Sequence, residues 1–302
     1  MTRPTRARVH LVDGRARFTD LGVGTYLRPR PMDVDGASAR LALVGTYATL
    51  LAGDDLRIDL EVGPGVYLEV IEPSGTVAYH VQGGVAHWRA DVTVGPGARL
   101  VWPASPFVIT AGANLVRHTH VELAAGARAL LRETLMFGRT YEATGGPLRS
   151  TTHVNHDGHA LLVEDLDLRA APDRELPGIM GPNRAMASVL LLGSRPDRVT
   201  GGHETRFAGP GAMARALAPH AHTAEEAVAG SWDRWHEEFL APESPASPKS
   251  SASSPSSASS ESSGSSGSPA SSASSESSGS SGSSASSGSS PIPDPAPALA
   301  AD

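Results

Sequence analysis

The chain has no cysteine among its 302 residues. Disulfides and thiolate metal sites are thereby excluded, and any bound metal must rest on imidazole or oxygen ligands. Lysine occurs once, at Lys249, so every other strong base is arginine. A GC-rich coding bias accounts for that imbalance more simply than function does. No apolar run approaches the ~18 residues that a membrane-spanning helix needs. The opening Met1-Thr2-Arg3-Pro4-Thr5-Arg6 leads into alternating sequence with no apolar signal core. The expectation is a cytoplasmic protein without membrane contact. Concentrated positive charge is lacking too: residues 1–243 carry 24 Arg against 28 acids, and the whole chain has net charge −7. Nucleic acid is therefore not an expected partner. Gly-x-Ser-x-Gly, a Walker A lysine motif, a dinucleotide-binding Gly-x-Gly-x-x-Gly and His-Glu-x-x-His are all missing.

What is present is a repeated strand–turn–strand unit. Val62-Gly63-Pro64-Gly65 recurs 32 residues later as Val94-Gly95-Pro96-Gly97, and Leu123-Ala124-Ala125-Gly126 follows 29 residues after that. A fourth turn, Asn155-His156-Asp157-Gly158, comes 32 residues further on. The runs Leu56-Arg57-Ile58-Asp59-Leu60-Glu61-Val62 and Trp88-Arg89-Ala90-Asp91-Val92-Thr93-Val94 alternate apolar and polar side chains. Period-two alternation marks a strand with one buried face, and Gly-Pro-Gly marks a tight turn. A period of about 30 residues predicts stacked β-units, an all-β body. Such a body offers a long surface to other proteins and no inherited catalytic pocket.

Residues 244–290 are mostly Ser with Ala, Gly, Pro and Glu, and the 13-residue stretch 256–268 repeats at 271–283. That composition carries too little apolar surface to offset its ordering entropy. The chain therefore divides into a β-rich domain over 1–243 and a disordered Ser-rich tail over 244–302. Within the domain, Ala7–Val12 and Ala16–Phe18 read as strands joined by a tight Asp13-Gly14 turn, and short strands continue through Val163. Residues 184–192 read as a fully buried strand, with a helix left open because periodicity does not settle a short apolar run. The clearest helix is Thr223–Leu240, with a Thr223/Glu226 capping box and an apolar stripe of Val228, Trp232, Trp235 and Phe239. Gly211–Leu217 is expected to form a shorter helix before it.

Histidines are the leading candidates for metal contact. His118 and His120 project from one face of a strand, as half of a site for nickel or zinc. His153, His156 and His159 flank the fourth turn beside Asp157. Solvated strand histidines are the plainer reading of both groups. A second feature is the segment Leu131–Gly146. Alternation sets Arg132 on one face and Leu131, Glu133 and Leu135 on the other, so Glu133 points inward and needs a partner. Arg132 is excluded as that partner by the alternation, while Arg139 across the bend at Gly138 and a backbone donor both stay open.

At these residues the chain resembles the urease accessory protein UreD (UreH) family. Arg132-Glu133, Gly138-Arg139 and Glu142 follow the family's order, Gly53-Asp54 with Leu56 is similar to its Gly-Asp-x-Leu turn, and Thr76 to Tyr79 to its Thr-x-x-Tyr segment. Arg215 and the helix through Trp232 and Trp235 resemble its carboxy-terminal part. The chain departs from many members by carrying Tyr141 where they have Gly and Val77 where they have Lys. The resemblance covers roughly residues 5–240. It implies two β-layers in a helix-like wrap with few α-helices, and a non-enzymatic scaffold that binds the urease apoprotein with UreF and UreG. It also implies nickel in transit, with no tightly bound cofactor. Two further readings stay open: a metal-dependent hydrolase on a β-scaffold using His118, His120, Asp157 and His159, and a β-rich interaction module unrelated to urease.

Overall fold

The computed structural model describes residues 2–241 except 48 and 81–82. The Ser-rich tail lies outside the described residues. Two antiparallel hairpins open the chain: β1 (Thr5–Val12) with β2 (Arg15–Gly22), and β3 (Leu27–Asp35) with β4 (Ser38–Gly45). After the short β5 (Thr49–Leu50) the chain winds in coils. The first comprises β6 (Asp55–Val62), β7 (Tyr67–Ile71) and β8 (Thr76–Ala78). The second comprises β9 (Ala86–Val94), β10 (Arg99–Pro103) and β11 (Phe107–Ile109). The third comprises β12 (Leu115–Leu123) and β13 (Arg128–Phe137). A hairpin of β14 (Leu148–His156) and β15 (His159–Asp167), a single turn α1 (Ala171–Arg174), strands β16 (Ala185–Leu192), β17 (Glu204–Arg206) and β18 (Gly211–Ala218), and helix α2 (Ala221–Leu240) complete it.

Each coil contributes one long strand to the first of two facing sheets and one to the second, and the first two coils add a short strand, β8 or β11, to the second. The first sheet runs β15-β14-β12-β9-β6-β1-β2, with β6, β9, β12 and β14 parallel and in register. The second runs β17-β18-β16-β13-β10-β7-β4-β3, with β5, β8 and β11 alongside. The corners are the repeated turns. Gly65, Gly97 and Gly126 take φ of 69°, 64° and 68°, a left-handed conformation that glycine adopts at little cost. Each corner hangs on the one before it: Gly63 N donates to Val9 O, Gly95 N to Val62 O, Ala124 N to Val94 O and Asp157 N to Leu123 O, at 2.7–2.9 Å. The alternating runs face inward as their pattern requires, and Leu56, Ile58, Leu60 and Val62 are each 3% exposed or less.

The fourth turn differs from the other three. Asp157 and Gly158 both have positive φ (50° and 75°) and close the antiparallel β14–β15 hairpin instead of turning the chain into the facing sheet. Strand β15 also runs on past Val163 to Asp167.

A second core lies outside the second sheet, where α2 packs on β13, β16 and β18. Strand β16 is buried at every residue because one face meets the first sheet and the other meets α2. Gly211–Ala218 is a strand and not the expected helix. Its alanines favour helix locally, but Ala212, Ala214, Ala216 and Ala218 fall on alternate positions, and their small side chains let α2 approach the sheet. The capping box is also absent. Helix α2 begins at Ala221 after His220, with no side-chain cap, so Thr223 lies within its first turn. The apolar stripe is as expected: Val228, Trp235 and Phe239 are at most 1% exposed and Trp232 packs beside them.

Candidate functional site between the sheets

The interior between the sheets is not uniformly apolar. On β12 the inward positions are Leu115, Arg117, Thr119, Val121 and Leu123, so the alternation that buries leucine also buries an arginine. Arg117 is 6% exposed. Its Nη1 lies 2.7 Å from Glu133 Oε2 on the facing sheet and 3.4 Å from Ser150 Oγ, and its guanidinium sits 4.4 Å from the Trp88 ring centre. Glu133 therefore points inward as alternation requires, but its partner is Arg117 and not Arg139. The reason is geometric: Arg139 lies beyond the Gly138 bend (φ 78°), outside the interlayer.

A polar seam extends from this pair in both directions. On one side Glu72 accepts from Trp102 Nε1 (2.8 Å) and from the backbone N–H of Ser105 (3.3 Å), and burial raises its carboxyl above the usual range. On the other side Arg215 Nε donates to Ser188 Oγ at 2.9 Å, and its terminal nitrogens fork onto both oxygens of Glu164. Burial works against the Arg215 charge, but the bonds and charge of Glu164 outweigh it and hold its pKa raised. A cavity of about 50 Å³ lies along the seam, walled by Trp88, Trp102, Leu131 and Leu190 and edged by Glu72, Arg117, Glu133 and Ser188. Arg117 Nε and Thr119 Oγ1 are buried there without a protein partner. The seam thus offers three carboxylates, two held by arginine and one held by neutral donors. Its cavity and the unpartnered Arg117 Nε and Thr119 Oγ1 can take up water.

Of the motif residues, Glu133 and Arg215 lie in the seam, whereas Gly53, Asp54, Thr76, Tyr79, Arg139 and Glu142 lie around β5, β8 and the bend after β13. Gly53 turns the chain (φ 83°) so that Asp54 accepts from Leu51 N and from Tyr26 Oη, both at 2.8 Å. Burial and that bond push the Tyr26 hydroxyl up to about 12. Thr76 opens β8, and Tyr79 N donates to Leu50 O. Arg139 lies between the rings of Tyr79 (5.0 Å) and Tyr141 (4.7 Å) and forks onto Glu142. Glu142 also accepts from Ala111 N and Arg139 N. Burial alone would raise the Glu142 pKa, but the bonds from Arg139 and Ala111 hold it below the ordinary value. Arg132 points away from the seam and lies 4.9 Å from the Trp232 ring, while Trp235 is fully buried.

His118, His120 and His153 occupy the outer face of the first sheet and His159 its turn, whereas His156 falls in the inward phase of β14 with its Nε2 buried and without a hydrogen-bond partner. His118 Nδ1 bonds Thr151 Oγ1 at 2.5 Å, and burial lowers its pKa. His120 stands between Asp91 (3.7 Å) and Glu122 (2.9 Å), beside His153 in the register of β12 and β14. His156 is paired with Leu123, three residues or roughly 10 Å further along. His159 bonds Asp157 O. Among the described residues, no three His, Asp or Glu side chains are disposed to hold a metal ion. The set His118, His120, Asp157 and His159 is not brought together.

Sequence reasoning missed Glu72, Arg117 and Ser188. For Arg117 the signal was available, since it occupies an apolar-phase position of β12. It also missed Arg174, 4% exposed, which donates to the carbonyls of Gly145, Gly146 and Leu168 and to Thr144 Oγ1. No local pattern marks that residue.

No helix among the described residues is long and apolar enough to cross a membrane. The family model for the UreD urease accessory protein matches residues 7–250. A protein of Streptomyces griseus described as urease accessory protein UreD 1 is 46% identical over 225 residues, covering 74% of this chain and 88% of its own. Urease accessory protein UreD 2 of Saccharopolyspora erythraea is 34% identical, covering 64% and 75%. A UreD of Methylobacterium sp. is 30% identical, covering 76% and 81%. With stacked two-layer coils, a match across nearly all of the body and this identity, the chain belongs to the UreD urease accessory protein family.

Proposed function

We propose that this chain is a non-enzymatic scaffold in urease maturation, which works in the cytoplasm with the urease apoprotein and proteins of the UreF and UreG kind to deliver nickel. The observation that carries this reading is the family match across residues 7–250. The geometry supports it in two ways. The seam from Glu72 through Glu133 to Glu164 offers oxygen ligands one at a time, each already occupied by a protein donor. A hard-oxygen environment of that kind passes a divalent ion without trapping it, unlike a closed imidazole or thiolate cage. The outer-face histidines His118, His120 and His153, with His156 and His159 at the hairpin, supply further transient contacts for nickel. No cofactor is tightly bound in this reading.

The test is complementation. A urease operon lacking its UreD gene is expressed with this chain, and both urease activity and urease-bound nickel are measured. Restoration of both is expected. Urease left inactive and nickel-free, with this chain present in the soluble fraction, overturns the reading.

A further inference from the structure

Three arginines meet the segment from Phe137 to Gly146 that leads out of β13. Arg139 is answered by a carboxylate, Glu142. The other two are answered by neutral oxygens. Arg174, at the end of α1, donates to Gly145 O, Gly146 O, Leu168 O and Thr144 Oγ1 at 2.6–3.3 Å, and its guanidinium lies 4.7 Å from the Phe137 ring centre. Arg184, half-buried ahead of β16, donates through Nε to Phe137 O at 3.0 Å and through Nη2 to Arg139 O at 2.7 Å. Among the described residues, neither has a carboxylate within ion-pair distance. Carbonyl dipoles satisfy N–H groups but leave the unit charge standing, and a buried charge without a counter-charge is unfavourable. Burial lowers the Arg174 pKa, and the charge of Glu175 beside it offsets only part of that.

Both arginines line one cleft of about 400 Å³, a size that suits a small-molecule ligand. Phe137, Ala143 and Pro182 give it an apolar wall. Glu175, exposed at the rim, is the one carboxylate among the described residues that line it, so two guanidiniums face a single negative charge. Donors are left over as well. Neither Arg174 Nε nor Arg184 Nη1 has an acceptor among the described residues.

We propose that this cleft is a binding site for a small oxyanion, a carboxylate or phosphate group held by Arg174 and Arg184. Each arginine contributes one free N–H, and a hydrogen bond in which both partners are charged is stronger than one to a neutral carbonyl. The bound group supplies the counter-charge that the backbone oxygens around Arg174 do not. It also joins three stretches of chain, the segment after β13, the α1 turn and the entry to β16, so its binding stabilises their junction. The site is independent of the function proposed above.

Calorimetric titration of the full chain tests this, with inorganic phosphate in one arm and acetate in the other, both against chloride at matched ionic strength. Saturable binding of one oxyanion per chain is expected, and the arm that binds more tightly assigns the group to the phosphate or the carboxylate class. Arg184→Met is expected to weaken that binding about tenfold or more, the loss of one charge-assisted bond. Glu175→Gln, at an exposed position, removes the opposing charge and is expected to tighten it about twofold or more. This second variant decides the matter should Arg184→Met fail to fold. Heat that does not saturate in either arm overturns the proposal. So does full affinity in an Arg184→Met chain with an unaltered melting curve, which would mark an adventitious ion only, and so does unchanged or weaker binding in Glu175→Gln.

Discussion

Arg117 and Glu133 meet at 2.7 Å from opposite sheets, 16 residues apart in sequence and both within the interlayer. One side chain replaces a leucine in the alternation of β12, and the other replaces one in β13. Removing one member leaves the other buried and uncompensated, which costs about 3–5 kcal/mol. Arg117→Met and Glu133→Leu are each expected to lower the urea midpoint strongly. The double variant is expected to be less destabilised than the sum of the two, and an additive double variant would show the pair to be uncoupled.

The corners make a finer distinction. A Cβ on Gly95 would lie 2.9 Å from Pro64 N and 3.1 Å from Val62 O, both backbone atoms of the preceding corner. A Cβ on Gly97 meets nothing within 4 Å, although φ there is 64°. Gly97→Ala therefore carries only the left-handed strain, about 1–2 kcal/mol. Gly95→Ala forces two corners apart and is expected to cost more in chemical denaturation. Equal losses would refute corner stacking as the constraint.

Acid should act on the Arg139–Glu142 fork. Because the folded state holds the Glu142 pKa below its ordinary value, the associated stability is present above that ordinary value and is lost as pH falls through the folded one. Stability measured from pH 5 downward is expected to fall less steeply in Glu142→Gln than in the unaltered chain. Parallel curves would deny the fork a role in acid sensitivity.

Helix α2 is fixed mainly through Trp235, which is fully buried among Val101, Leu130 and the alanines of β18. Trp235→Ala is expected to cost about 3–5 kcal/mol. Trp232→Ala, at a partly buried ring over Arg132, is expected to cost less. Denaturation midpoints in that order support the packing described, and the reverse order contradicts it.

What could be read from the sequence was whatever repeats or alternates locally. Val62-Gly63-Pro64-Gly65 and its copies announced the coils, and the Trp235 and Phe239 spacing announced the face of α2. Gly211–Ala218 misled because alanine favours helix in isolation, and only the close approach of α2 explains its use in a strand. The partner of Glu133 was hidden for a different reason. Which residue faces which across two sheets depends on how the layers stack, and nothing within β13 encodes the position of Arg117 on β12. The Thr223 cap failed because the helix starts two residues earlier, at Ala221, where the chain leaves β18.

The corner bonds run both ways along the chain. Val9, Val62, Val94 and Leu123 offer their carbonyls forward to Gly63, Gly95, Ala124 and Asp157, while Gly65 N and Gly97 N donate to Pro96 O and Ala125 O of the corner that follows. Each inner corner is laced to both neighbours, so a chain cut after any coil would leave its last corner with an amide that has nothing to bond.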